Sequence, residues 1–158
     1  MPAKVAKDWA PEKFKEQYPP KYADFYRHQS DIEIKILRDL NKAGVRILAG
    51  SDSLDLLNIC GFSLHRELAL LVQAGLTPME ALRSATIDAA VFLNKQKELG
   101  KIEPGQIADL VLLDANPLDD IHNTSRISAV FVSGNVFLEA DIQAMLERAA
   151  KFAASVRD

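Results

Sequence analysis

One short run fixes what this chain can be. Val45-Arg46-Ile47-Leu48-Ala49 is apolar and rich in β-branched residues, and it ends in Gly50-Ser51-Asp52-Ser53. It reads as a buried strand with polar residues at its C-terminal end. No second run of its kind accompanies it; the other strand-like runs, at 107–113, 127–132 and 136–138, read as an antiparallel set further along the chain. A lone buried strand leaves its backbone donors and acceptors unpaired along both edges. The expectation is that its partners come from another chain or from a segment outside this one.

The remaining elements follow from periodicity and punctuation. Ile32, Ile36, Leu40 and Ala43 form one stripe of an amphipathic helix over about 30–43, closed by Gly44. A second helix is predicted from Ser63 to Ala74, with Leu64, Leu68, Leu71 and Val72 on one side and Gly75 at its end. Thr77-Pro78-Met79-Glu80 has the spacing of a capping box with proline in the first turn, so a third helix starts there. Thr86 is the expected cap of a fourth helix ending near Asn94. After turns at Gly100, Pro104 and Gly105 come a strand over 107–113, the Asn116-Pro117 turn, a strand over 127–132, and a tight hairpin through Ser133-Gly134-Asn135. A last helix over about 141–155 carries Ile142, Met145, Leu146, Ala149, Phe152 and Ala153 on its apolar face.

Composition narrows the function classes. Hydrophobic residues make up 48% and charged residues 26% of the chain, a globular balance. A net charge of −3 offers no basic surface to nucleic acid. Residues 1–30 hold six Lys or Arg and six of the eleven aromatics, Trp9, Phe14, Tyr18, Tyr22, Phe25 and Tyr26, and read as a segment docked on something apolar. Cys60 is the single cysteine, which excludes an internal disulfide and a cysteine-based metal cluster. No apolar run is long enough to span a membrane, and Met1–Ala10 lacks a secretory h-region, so the expected location is cytoplasmic. Neither a phosphate loop nor a dinucleotide fingerprint is present.

Asp52 is the sharpest candidate for chemistry, because α/β proteins place reactive and metal-binding side chains just past strand C-termini. Read alone, the same residue is more often a turn or helix-capping aspartate. His65 and Glu67 are two apart on a predicted helix and form a poor chelate. Asp55 follows the Asp52 turn and caps the next one, with a metal role as the alternative. His28 and His122 read as surface residues, and Asp109 as structural.

The string Ala43-Gly44-Val45-Arg46-Ile47-Leu48-Ala49-Gly50-Ser51-Asp52 resembles the last barrel strand of the amidohydrolase superfamily. The resemblance continues through His65-Arg66-Glu67-Leu68, Ala74-Gly75-Leu76-Thr77-Pro78-Met79-Glu80-Ala81-Leu82 and Ala85-Thr86. It then runs from Gly100-Lys101-Ile102-Glu103-Pro104-Gly105 through Ala108-Asp109-Leu110-Val111 to Asn116-Pro117, collinear over roughly residues 10–140. The branch it looks like is the imidazolonepropionase-like and Xaa-Pro dipeptidase-like hydrolases.

That resemblance implies an α/β fold. The expected architecture is the C-terminal part of a (β/α)₈ barrel (its last strand and helices, 1–95), strands of a small β-sandwich (96–140) and a terminal helix (141–158). A whole barrel needs about 250 residues and does not fit in 158. The resemblance also implies hydrolysis of a C–N bond in a small amide, dipeptide or lactam. Zinc or another divalent metal would be present in the complete enzyme, and Asp52 would be both metal ligand and proton acceptor. His65 would border the substrate mouth. The family's His-x-His pair, bridging lysine and two single histidines have no counterpart among His28, His65 and His122. The expected partner is therefore a missing N-terminal barrel segment or an oligomer mate, with no nucleic acid and no membrane. The alternative is a stand-alone, non-catalytic module, a short gene product in its own right, that acts by association.

Overall fold

Local sequence signals account for most of the helices in the computed structural model, which describes residues 11–53 and 58–155. Trp9, the rest of residues 1–10 and Asp55 lie outside the described residues. Helix α1 (Pro11–Gln17) and a 3₁₀ turn (Pro20–Tyr22) lead into α2 (Ala23–Lys42), α3 (Ser63–Gln73), α4 (Pro78–Ser84) and α5 (Ile87–Phe92). Strand β1 (Leu110–Leu113), a 3₁₀ turn (Ile121–Ser125), β2 (Ile127–Val132), β3 (Asn135–Leu138) and α6 (Glu139–Ser155) complete the order. None of the helices among the described residues is long and apolar enough to cross a membrane.

The α4 start is built as the sequence predicts. Thr77 Oγ1 accepts from Glu80 N, while the Glu80 carboxylate accepts from Thr77 N at 2.7 Å. The Thr77 backbone N–H, then the Thr77 hydroxyl, hold the Glu80 carboxyl below its ordinary value of 4.5. The folded form therefore gains stability from ionised Glu80 above about pH 4.5, and loses it as pH falls through the lower folded value. Thr77→Ala should cost about 1 kcal/mol. Urea midpoints at pH 7 and pH 3 check this, with the difference from the native chain shrinking at the acid end. At α5 the expected cap is not made: the Thr86 hydroxyl donates instead to Leu82 O of the preceding turn at 2.8 Å. Because α4 and α5 follow each other almost directly, the hydroxyl finds a carbonyl behind it before an amide ahead of it.

The core is small. Leu68, Leu71, Leu76, Ala81 and Ile121 are buried together, with Leu37, Ile47, Ala49, Val72 and Leu82 packed partly against them. Helix α2 meets this core through Leu37, with Ile34 half-buried on the same helix, and the Arg38 guanidinium donates to Ala74 O at the C-terminus of α3. The stripe read from the sequence points elsewhere: Ile32, Ile36 and Leu40 are 46%, 54% and 43% exposed. Helix α2 is thus apolar on two sides, and only one of them is covered.

A similar outcome meets the terminal helix. Along the expected α6 face only Ala153 is buried and Ile142 half-buried, while Met145, Leu146 and Phe152 face solvent. The N-terminal aromatics also pack on one another rather than on the core. Phe14 lies against Tyr18 (ring centroids 5.0 Å apart), and Tyr18, Tyr22 and Phe25 all contact Tyr26.

The expected strand at 45–49 is a correction. The segment carries no strand, and no described strand pairs with it. Val45 and Arg46 are exposed and residues 47–49 half-buried, with Ile47 and Ala49 packed on the core. A strand is a ladder and needs a neighbour; here the neighbour is missing among the described residues. The antiparallel expectation at the C-terminal end holds. The sheet has the order β1-β2-β3, with Val132 opposite Asn135 across a Ser133-Gly134 loop in which both residues have positive φ, 50° and 77°. Positive φ at both central positions is the hairpin turn that suits strand twist. Asp109 accepts from Ser133 N at 3.0 Å and pins that turn, a structural role. Gly100 earns its place sterically: a Cβ there would stand 2.8 Å from the Ile87 Cα.

Candidate functional site

Gly44, at φ 74°, closes α2 and turns the chain into the extended segment 45–50. Two contacts hold that segment at its far end. Ala49 N donates to Ser84 O at 3.3 Å, which ties it to the end of α4. Gly50 N donates to Glu67 Oε1 at 3.3 Å, which ties it to α3. Asp52 follows, exposed and in the left-handed region at φ 45°, a conformation aspartate tolerates better than most residues. On either side of it the Ser51 and Ser53 hydroxyls lie 2.8 Å apart.

His65 sits in the first turn of α3, half-buried, with Nδ1 3.0 Å from Thr124 Oγ1. Thr124 is buried in the 3₁₀ turn before β2, and its hydroxyl also reaches Ile121 O at 2.9 Å. The two sequence candidates are therefore carried by neighbouring elements, with no hydrogen bond between them among the described residues. Sequence reasoning set Glu67 aside as half of a poor chelate. The structure gives it a different task, suspending the backbone two residues before Asp52. No local signal announces a contact between residues 17 apart, so only the fold could reveal it.

The other histidines stay on the surface. His28 is exposed; His122 is exposed beside Asp120, whose carboxyl is held below its ordinary value first by the His122 backbone N–H and then by the His122 ring. Among the described residues no group of three His, Cys, Asp or Glu side chains is placed to hold a metal ion. Structural and catalytic metal sites draw on three or four protein ligands, so the described residues do not by themselves fit a metal. Three concavities among the described residues lie away from Asp52. A groove of about 400 Å³ between α3 and the 3₁₀ turn, lined by residues including Arg66, Val72, Pro78 and Ile121, and two smaller hollows include neither Asp52 nor His65.

Comparison with known proteins places these elements in context. Residues 21–137 match the profile of the Amidohydrolase family. Ochratoxinase of Aspergillus niger is 32% identical over 113 residues, which span 68% of this chain and 22% of that protein. Imidazolonepropionase of Geobacillus sp. (strain WCH70) is 54% identical over 43 residues, 27% of this chain and 10% of that protein. Among solved structures, a Xaa-Pro dipeptidase with bound methionine in its active site superposes with a TM-score of 0.65 at 30% identity, covering 85% of this chain and 32% of that one. The chain thus matches about a tenth to a third of the length of such relatives. With nearly three quarters of its residues inside the family profile, the chain belongs to the amidohydrolase family.

Proposed function

We propose that this chain is the C-terminal portion of a metal-dependent amidohydrolase, comprising the last barrel segment and its helices (1–95), strands of a small sandwich (96–140) and a terminal helix (141–158). Amidohydrolases hydrolyse carbon–nitrogen bonds and are generally metal-dependent. In the complete enzyme the bond is an amide, peptide or lactam of a small substrate. Asp52 supplies one carboxylate, as metal ligand and as the base that takes a proton from water while the water oxygen attacks the carbonyl carbon. The same carboxyl then returns the proton to the departing nitrogen as the C–N bond breaks. His65 borders the substrate mouth. Asp52 would hold a divalent ion, zinc by family precedent, only together with ligands from barrel segments outside this chain.

The observation that carries this reading is the pairing of an unladdered segment at 45–50 with the bare Ile32/Ile36/Leu40 face of the helix that precedes it. Both are what the last strand and helix of a barrel look like without their neighbours. A second reading, a non-catalytic module that acts by association, shares with the first the lack of a three-ligand cluster among the described residues.

Metal content of the purified chain after exhaustive dialysis is the direct test. The expected value is well below one ion per chain. One firmly held ion per chain, lost in Asp52→Ala, would overturn the incomplete-site reading, and the chain would then be assayed as an enzyme alone.

A further inference from the structure

The hydroxyl of Thr124 has two close polar neighbours, Ile121 O at 2.9 Å and His65 Nδ1 at 3.0 Å. A hydroxyl owns one proton, and a carbonyl oxygen can only accept. The Thr124 proton is therefore spent on Ile121 O, and Oγ1 meets His65 as an acceptor. His65 must then carry its own proton on Nδ1. A neutral imidazole has one N–H and one bare nitrogen, so Nε2 keeps its lone pair. Both contacts are well anchored: Thr124 is only 6% exposed, Ile121 belongs to the buried core, and Asp120 caps the turn that holds them.

We propose that Thr124 is a positioning residue that locks His65 in the Nδ1–H form, so that Nε2 is presented as an acceptor to an N–H donor of a ligand. The ligand part of this rests on the proposed place of His65 at the substrate mouth; an amide or amine nitrogen of the substrate is the matching group. The tautomer itself rests on geometry alone. Among the described residues, Nε2 has no hydrogen-bond partner that would compete for the lone pair, and the ring is only half-buried.

Nitrogen-15 NMR of the labelled chain at pH 8.5, about two units above the ordinary imidazole value, reads the tautomer. The native chain and Thr124→Ser should show His65 protonated on Nδ1 with an unprotonated Nε2. Thr124→Val, nearly the same shape without the acceptor, should lose that preference and move toward the Nε2–H form. Far-UV circular dichroism shows whether each variant is folded; should Thr124→Val not fold, the native and serine spectra still decide. Diethyl pyrocarbonate, which acylates a bare imidazole nitrogen, should modify His65 in the native chain as it modifies exposed His28. An Nε2–H native spectrum, a valine variant that folds yet keeps the native pattern, or a His65 left unmodified beside a modified His28 would each overturn the proposal. The outcome is separable from the enzymatic reading, because a chain found to hold its own metal can still show this tautomer.

Discussion

Asp52→Asn, in a chimera where residues 21–137 of this chain replace the matched segment of a dipeptidase relative, should lower kcat by about 10²- to 10⁴-fold, the usual worth of a positioned acid–base group. Asparagine is the informative replacement because it shares the shape of aspartate and also tolerates the left-handed backbone found at Asp52. The fold around Ser51 and Ser53 is then undisturbed, and what disappears is the charge and the capacity to take a proton. Steady-state kinetics against the parent chimera read the result. A kcat within a factor of two of the parent would remove Asp52 from proton transfer and leave it as a turn residue.

The second large effect concerns stability. Leu71 is 2% exposed at the centre of the cluster formed with Leu68, Leu76, Ala81 and Ile121. Leu71→Ala should cost about 2–5 kcal/mol, from lost transfer energy and the cavity left behind. Against a total of about 5–15 kcal/mol for ordinary domains, and with so few residues sharing this core, the variant should be largely unfolded at 37 °C. Ile36→Ala, on the bare side of α2, should by contrast stay within about 0.5 kcal/mol of the native chain. Urea unfolding of the two variants side by side is the measurement. Equal losses would mean that the α2 stripe is already covered in solution.

Most features written within a few consecutive residues were legible from sequence, the Thr86 cap excepted, and those written between distant ones were not. The Thr77/Glu80 cap and the Ser133-Gly134 turn are local, so spacing and residue type sufficed. The run at 45–49 has the composition of a strand, but a ladder belongs to two segments, and the second is not among the described residues. The periodicity of α2 showed a stripe without saying that Leu37 would take the core side and leave Ile32, Ile36 and Leu40 bare. Asp52 stood out because Gly-Ser-Asp after an apolar run is compact. Glu67 did not, since its contact with Gly50 exists only once α3 has folded back over the segment.

That half-held segment gives the chain a thermodynamic property of its own. Val45 N donates to Leu40 O at one end of residues 45–50, and Ser84 and Glu67 hold the other, while no described strand pairs with the amides and carbonyls between. Whatever pairs with them binds the folded form and not the unfolded one, so it raises stability by mass action, by about 2.7 kcal/mol at a hundred times its dissociation constant. On the proposed reading, the melting temperature of this chain would depend on how much complementary strand surrounds it, and a titration curve would describe its stability better than a single number.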